Sequence, residues 1–293
     1  MQVTSTYGIL LAGGSGTRLY PLTASVSKQL LPVYDKPMVY YPLCTLLQAG
    51  IGNILLISSP NHLAAYQDLL GDGSRLGINI QYARQQSPRG IAEALIIAHN
   101  TVGSTNTVLI LGDNIFHGEG LAFRHAAESN TGARIFAYPV QNPRRYGVVE
   151  LNPDGSVAGI EEKPEHPRSN LAIPGLYIYN SDAALYAKEL RPSGRGELEI
   201  TDVHNVYHQN NTLVAARLDN GVTWLDAGTP ESLIEASAFV QTLERRQGIK
   251  IACPEVIALQ TGLITAADYE QTVALMPQSA YKQYCITLLS NQK

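Results

Sequence analysis

The stretch Tyr7-Gly8-Ile9-Leu10-Leu11-Ala12-Gly13-Gly14-Ser15-Gly16-Thr17-Arg18-Leu19 decides the fold. Tyr7 to Ala12 is a short, unbroken apolar run that ends in glycines. A run without polar alternation suits a strand buried on both faces, as in a parallel sheet, and the glycines mark the loop that it feeds. Outward from there the same grammar repeats. Pro37 to Gly50 reads as a helix, with Pro37 in its first turn and Gly50 at its C-terminal cap. Asn53 to Ser58 is a second buried strand, Asn61 to Leu70 a helix, Ile78 to Arg84 a strand, Gly90 to Val102 a helix, and Thr107 to Leu111 a third buried strand. This βαβαβα alternation predicts a doubly wound α/β sheet with helices on both faces.

The second half changes character. Ala133 to Val140 and Gly147 to Leu151 read as strands, and Asn152-Pro153-Asp154-Gly155 is a turn signal that predicts a hairpin. Ala172 to Asn180 is strand-like with a break at Pro174-Gly175. Ile200 to Gln209 reads as a helix, and Thr212 to Leu218 and Val222 to Leu225 as strands. Thr229 caps a helix with Pro230 in its first position, running to Gln247. From about Ile251 the chain reads as short helical pieces. The expectation is one nucleotide-handling domain over 1–250 (a nucleotide-binding half to about 130 and a β-rich half over 131–250), followed by a C-terminal helical appendage over 251–293.

Composition narrows the classes. The chain has 293 residues, 45% hydrophobic and 16% charged, with a formal net charge of −4. No dense Lys/Arg run suggests a nucleic-acid surface. Cys44, Cys253 and Cys285 are far apart and form no CxxC pair, which argues against a disulfide framework or zinc site and for a reducing compartment. The N-terminus lacks a basic n-region, and no stretch approaches the roughly 18 apolar residues that span a membrane. The cytosol is the expected location.

The glycine loop lets backbone approach a phosphate and point N–H groups at it. It lacks the Walker spacing, and Gly14-x-Gly16 is not followed by the third glycine of a dinucleotide fingerprint. A plain turn would explain the glycines; Arg18 within the loop suits a polyphosphate better. Ser27-Lys28-Gln29-Leu30-Leu31-Pro32 sets a lysine in an apolar segment. Lys28 there either snorkels from a helix end or joins the loop in a cationic pocket, and the two features together favour a pocket for a nucleoside triphosphate. Asp113 and Asp226 each follow a strand at its carboxyl end, where open α/β sheets bind ligands. Either alone reads as a turn or cap; two together suit a magnesium ion shared with phosphates. Of the seven histidines (His62, His99, His117, His125, His166, His204 and His208), His204 and His208 lie four apart on a helix. No zincin glutamate lies between them, so core or surface roles are expected.

The segment from Gly13 to Leu43 closely resembles the signature of glucose-1-phosphate thymidylyltransferases. The resemblance continues through Leu111-Gly112-Asp113-Asn114, Arg145 to Glu150, Glu161-Glu162-Lys163-Pro164, Gly196 to Asp202 and Trp224-Leu225-Asp226. It implies transfer of thymidylyl from dTTP to glucose 1-phosphate with Mg2+, by in-line attack without a covalent intermediate. It further implies that Asp113 and Asp226 hold the metal, that Arg18 and Lys28 neutralise the triphosphate, and that Lys163 and Arg195 hold the sugar phosphate. The nucleotide would meet Leu11, Gly13, Gly14, Gly16, Thr17, Gln85 and Gly90. The hexose would meet Tyr146, Gly147, Glu161, Ile173 and Tyr177. A homotetramer with a second nucleotide site near Gly118 and Lys250, inhibited by dTDP-rhamnose, is a weaker implication, since Lys250 also reads as an ordinary strand-edge charge. Two departures stand out. Gln85-Gln86-Ser87-Pro88-Arg89-Gly90 has Gln86 for an expected proline and Arg89 for an expected aspartate, and Pro174 replaces a threonine. They keep open a uridylyltransferase or an enzyme for another hexose 1-phosphate. A non-catalytic nucleotide-sugar-binding protein is disfavoured by the presence of both carboxylates and the cations.

Overall fold

A computed structural model describes residues 6–118, 131–218 and 220–291. Its centre is the parallel set predicted from the buried runs. β1 (Tyr7–Leu11) lies between β4 (Asn53–Ser58) and β6 (Thr107–Leu111), and β5 (Asn79–Arg84) extends the set beyond β4. Unbroken apolar runs are explained by two cores. Leu10, Ile54, Leu56, Val108 and Ile110 face one; Ile9, Leu11, Leu55, Ile57 and Leu109 face the other. Each strand therefore has no polar side.

The second half joins the same sheet, mostly antiparallel. β12 (Leu176–Tyr179) pairs with β6 and with β8 (Ala133–Pro139). β11 (Leu171–Ala172) bridges β8 and β9 (Gly147–Leu151), and β10 (Val157–Glu162) forms the expected hairpin with β9. β13 (Leu213–Arg217) lies parallel to β8. The break at Pro174-Gly175 separates β11 from β12. The fold is α/β, with a mostly parallel nucleotide side and C-terminal helices.

Two small ribbons depart from the sequence reading. β2 (Pro32–Val33) and β3 (Lys36–Pro37) form a hairpin that consumes Pro37, so the first helix, α1 (Tyr40–Gln48), begins three residues later than Pro37. Gly50, at φ 74, follows its end as expected. The second ribbon pairs β14 (Thr223–Asp226) with β7 (Asn114–His117), outside the main sheet. Asp226 is thereby set opposite Asn114, one residue from Asp113.

The helix over Pro230–Gln247 matches the predicted span, with a capping box between Thr229 and Ser232. The helices Pro254–Gln260, Ala266–Leu275 and Ala280–Asn291 follow. They place Cys253, Ile257, Tyr269 and Cys285 in the core that α1 also lines. Lys250 is not at a strand edge. It pairs with Asp35 and Glu244, and Glu244 also binds buried Lys36 at 2.9 Å. This charge cluster ties the β2–β3 turn to the last turn of the Pro230–Gln247 helix. Gly118 sits at φ 135, where a β-carbon would meet the Gly221 carbonyl at 2.0 Å. Among the described residues no helix is long and apolar enough to cross a membrane. All three cysteines are free thiols. His125 lies outside the described residues.

Candidate active site

A cleft of about 690 Å3 opens along the carboxyl ends of the central strands. The glycine loop forms part of its lining. Gly16, at φ 61, begins a single 3-10 turn over Thr17–Leu19 that carries Arg18, and Thr23 Oγ1 donates to the Gly16 carbonyl at 2.9 Å. Leu11, Gly13, Gly14, Gly16, Thr17 and Arg18 all line the cleft.

Lys28 enters from a second 3-10 turn, Lys28–Leu30. The flanking residues explain the apolar look of that segment. Ser27 and Gln29 are buried and bonded to each other at 2.7 Å, and Tyr66 donates to Ser27 Oγ at 2.8 Å. The backbone N–H groups of Met38 and Val39 donate to Leu31 and Gln29 carbonyls. Lys28 is thus held by both neighbours, and its Nζ reaches the Asp113 carboxylate.

Asp113 occupies the turn between β6 and β7 and is buried. Its other oxygen accepts from Asn114 Nδ2 at 3.0 Å. Burial alone would raise the Asp113 pKa; Lys28 and Asn114 outweigh it and hold the group below the usual carboxylate range. Asp226 is shifted the other way. Burial and the nearby charge of Asp113 raise it, and Arg18, Lys28 and Arg145 only partly offset them. A β-carbon on Gly228 would lie 2.7 Å from Arg18 Nη2 and 3.0 Å from Asp226 Oδ1, so Gly228 leaves room for that pair. A buried and a half-buried carboxylate, the second resisting ionisation beside the first, form a donor set that a divalent cation would relieve. Among the described residues no group of three His, Cys, Asp or Glu side chains could hold an ion by itself, so phosphate oxygens and water would complete the shell.

Tyr146, Gly147, Ile173, Tyr177, Lys163 and Arg195 also line the cleft. Glu161 does not line the cleft. It is 41% exposed at its side chain and pairs with Arg168 at 3.6 Å. Successive residues of β10 face opposite sides, and the neighbour Glu162 takes the cleft position. A β-carbon on Gly147 would lie 3.3 Å from its Oε2. Glu162 also pairs with Lys163 at 3.4 Å and Arg195 at 3.3 Å. Lys163 has φ 42, a left-handed conformation unusual outside glycine, and its N–H is fixed by the Tyr146 carbonyl at 3.1 Å. Arg195 also bonds Glu199 at 2.7 Å.

Gln85 and Gly90 also line the cleft. Gly90 has φ 105, and a β-carbon there would meet the Leu198 carbonyl at 2.3 Å. Arg89 points to solvent with its side chain 66% exposed, yet pairs with Glu93. Pro174 costs no hydrogen bond, because the donors on either side are used: Ile173 N–H meets Gly147 and Gly175 N–H meets Asn114.

Several further lining residues were given no site role from the sequence. Asn114 Oδ1 accepts from Gly175 N–H at 2.8 Å and Trp224 Nε1 at 2.7 Å, so one buried amide joins Asp113, β14 and the Pro174-Gly175 break. Trp224 packs edge-on against Tyr138 and Tyr146. His204 is buried, its ring against Tyr177 and its Nε2 2.6 Å from Tyr179 Oη. Burial lowers its pKa to about 3. His204 Nδ1 and Thr201 Oγ1 are buried at the cleft without a hydrogen-bond partner.

An open α/β sheet whose cleft gathers a glycine-and-arginine loop, a half-buried lysine, paired aspartates and the further cations Lys163 and Arg195 defines a nucleotidyl-transferring enzyme. The nucleotidyl transferase family model matches residues 7–242. A glucose-1-phosphate thymidylyltransferase of Xanthomonas campestris is 51% identical, with 98% of each chain covered. One of Mycobacterium tuberculosis is 50% identical over 96% of this chain and 98% of its own. A solved structure of a putative glucose-1-phosphate thymidylyltransferase from Bacillus anthracis, in complex with a sucrose, has a TM-score of 0.75 at 39% identity, covering 80% of this chain and 94% of its own. A UDP-glucose pyrophosphorylase complexed with UDP-glucose shares the fold alone, at TM-score 0.72 and 22% identity. The chain belongs to the nucleotidyl transferase family and, within it, to the glucose-1-phosphate thymidylyltransferases.

Proposed function

We propose that this enzyme transfers a thymidylyl group from dTTP to α-D-glucose 1-phosphate, giving dTDP-glucose and pyrophosphate. The observation that carries the reading is one cleft lined both by the glycine loop, Lys28, Asp113 and Asp226 and by Lys163 and Arg195. Two phosphate-bearing substrates can meet there.

A non-bridging oxygen of the sugar phosphate attacks the α-phosphorus of dTTP. The bond from that phosphorus to the β-phosphate oxygen breaks, and pyrophosphate leaves with the electron pair. The attacking oxygen is already anionic, so no general base is needed. Catalysis is then positioning and charge neutralisation. Arg18 and Lys28 bear on the triphosphate and the departing pyrophosphate. Lys163, held in its left-handed conformation, and Arg195 bear on the sugar phosphate. Tyr146, Gly147, Ile173, Tyr177 and Glu162 surround the hexose, with Thr201 and His204 offering further polar atoms. Leu11, Gln85 and Gly90 receive the base. Asp113 and Asp226 would hold Mg2+, which when bound neutralises charge on the reacting phosphates.

Residues 1–250 are read as the transferase unit, with its nucleotide half to about 130, and 251–293 as an appended helical part. A homotetramer inhibited by dTDP-rhamnose at a second site near Gly118 and Lys250 rests on the family resemblance. Against it, Lys250 is already engaged by Asp35 and Glu244. A cytoplasmic location is supported by the three free thiols. The deciding experiment is a substrate panel, four nucleoside triphosphates against several hexose 1-phosphates, read by pyrophosphate release. The highest kcat/KM is expected for dTTP with glucose 1-phosphate; a clear preference for another pair would replace the reading.

A further inference from the structure

Gln85 is a buried amide lining the cleft, 5% exposed. Its Nε2 donates to Glu93 Oε2 at 2.9 Å and to the Gly90 carbonyl at 3.2 Å. Glu93 is equally buried and does not line the cleft; it stands behind Gln85 in the first turn of the helix Glu93–Val102. Its other oxygen accepts from Arg89, with Nε at 2.8 Å. A guanidinium has donors only, so Glu93 has acceptors alone to offer Gln85. The Gly90 carbonyl is likewise an acceptor. Rotating the amide by half a turn would set Gln85 Oε1 against both, leaving two buried contacts repulsive and Nε2 unpaired. The orientation is therefore imposed by its neighbours.

The consequence is on the cleft side. Gln85 Oε1 lies over Gly13, where a β-carbon would come within 2.6 Å. The face offered to a base is an acceptor. Thymine and uracil carry an N–H at ring position 3; cytosine carries a lone pair there. We propose that Glu93, clamped by Arg89, is a positioning residue that fixes the Gln85 amide with its oxygen toward the base and so selects an imide-bearing pyrimidine over cytosine. The inference rests on the thymidylyl reading and deepens it. It also gives a role to Arg89, where the family resemblance led to an acid. Since thymine and uracil share the imide, Glu93 does not separate those two.

The test compares kcat/KM for dTTP and dCTP, with glucose 1-phosphate and Mg2+, in the wild type, Glu93→Gln and Arg89→Ala. The wild type is expected to prefer dTTP by about a hundredfold or more, as for a site whose buried polar group would be left opposed by the wrong base. A glutamine at 93 can donate as well as accept, which leaves only the Gly90 carbonyl to oppose a turn of the Gln85 amide. Glu93→Gln is expected to shrink the dTTP:dCTP ratio about tenfold or more, mainly through KM. Arg89→Ala, on the surface, is expected to shrink it several-fold, and it carries the test if Glu93→Gln fails to fold. A ratio unchanged within twofold in the folded variants overturns the assignment and leaves the thymidylyl reading standing, as does a wild type that uses dCTP as well as dTTP. A wild type without dTTP turnover overturns both.

Discussion

Asn114→Ala tests the junction that joins the reacting end of the cleft to the β7–β14 ribbon. The native amide donates to Asp113 Oδ1 and accepts from Gly175 N–H and Trp224 Nε1, and it is 3% exposed. Alanine leaves two buried donors without an acceptor, at about 1–3 kcal/mol each, so a loss of about 2–5 kcal/mol in unfolding free energy is expected. Asp113 also loses its orienting donor. Removing a partner that orients a metal-binding carboxylate costs about 10–100-fold in activity. Trp224 is the only tryptophan in the chain, so its emission reports on this bond directly. The assays are urea unfolding followed by tryptophan fluorescence, and pyrophosphate release at saturating dTTP. An Asn114→Ala enzyme with native emission, stability within about 1 kcal/mol and activity within about twofold would refute the role assigned to this amide.

Four further outcomes are expected. Asp113→Asn and Asp226→Asn should each lose most turnover while circular dichroism stays native; near-normal rates in both would remove the metal assignment. Folded His204 takes up a proton only near pH 3, whereas the unfolded chain does so near 6.5. The unfolded state therefore binds more protons between these values, and stability must fall as pH drops from about 6.5 toward 3, by up to about 1.4 kcal/mol per pH unit from this group. His204→Gln, which cannot titrate, should flatten that acid limb in urea midpoints taken at pH 7, 5.5 and 4.5; equal slopes would contradict the buried neutral imidazole. Lys36→Met removes the buried one of the two lysines shared by Asp35 and Glu244 and leaves Lys250 alone to pair both, and a loss of about 1–3 kcal/mol is expected by thermal or urea unfolding. No measurable loss would mean that Lys250 alone satisfies both carboxylates. Glu162→Gln should raise KM for glucose 1-phosphate while Glu161→Gln leaves it unchanged, and the reverse pattern would restore Glu161 to the cleft.

What could be read from the sequence was whatever is local. The glycine loop, Lys28, and the aspartates at strand ends announce themselves within a few residues, because backbone approach, charge and strand ends are set by near neighbours. The buried parallel strands were legible for the same reason, since each must be apolar on both faces. The alternation of β10 was harder. Glu161 and Glu162 are adjacent and alike, and only the register against β9, which sets Glu162 opposite Gly147, tells which one faces the cleft. That register follows from pairing, which a single strand does not encode. Asn114 and Trp224 are 110 residues apart, and Lys250 and Asp35 are 215 apart. No local pattern marks such partners, so the amide junction was invisible and Lys250 looked like an edge charge. Pro37 suited a helix start by propensity, but the β2–β3 hairpin claimed it through tertiary pairing. The two-stranded ribbon that delivers Asp226 was likewise hidden, because its strand looked like any other.

The central claim is direct transfer between two substrates in one cleft, and the stoichiometry of pyrophosphate tests it most directly. With dTTP, Mg2+ and enzyme at a substantial fraction of the dTTP concentration, no pyrophosphate should appear until glucose 1-phosphate is added. After addition, dTDP-glucose and pyrophosphate should form in equal amounts. A burst of pyrophosphate equal to the enzyme concentration without the sugar phosphate, or pyrophosphate formed without dTDP-glucose, would contradict the account.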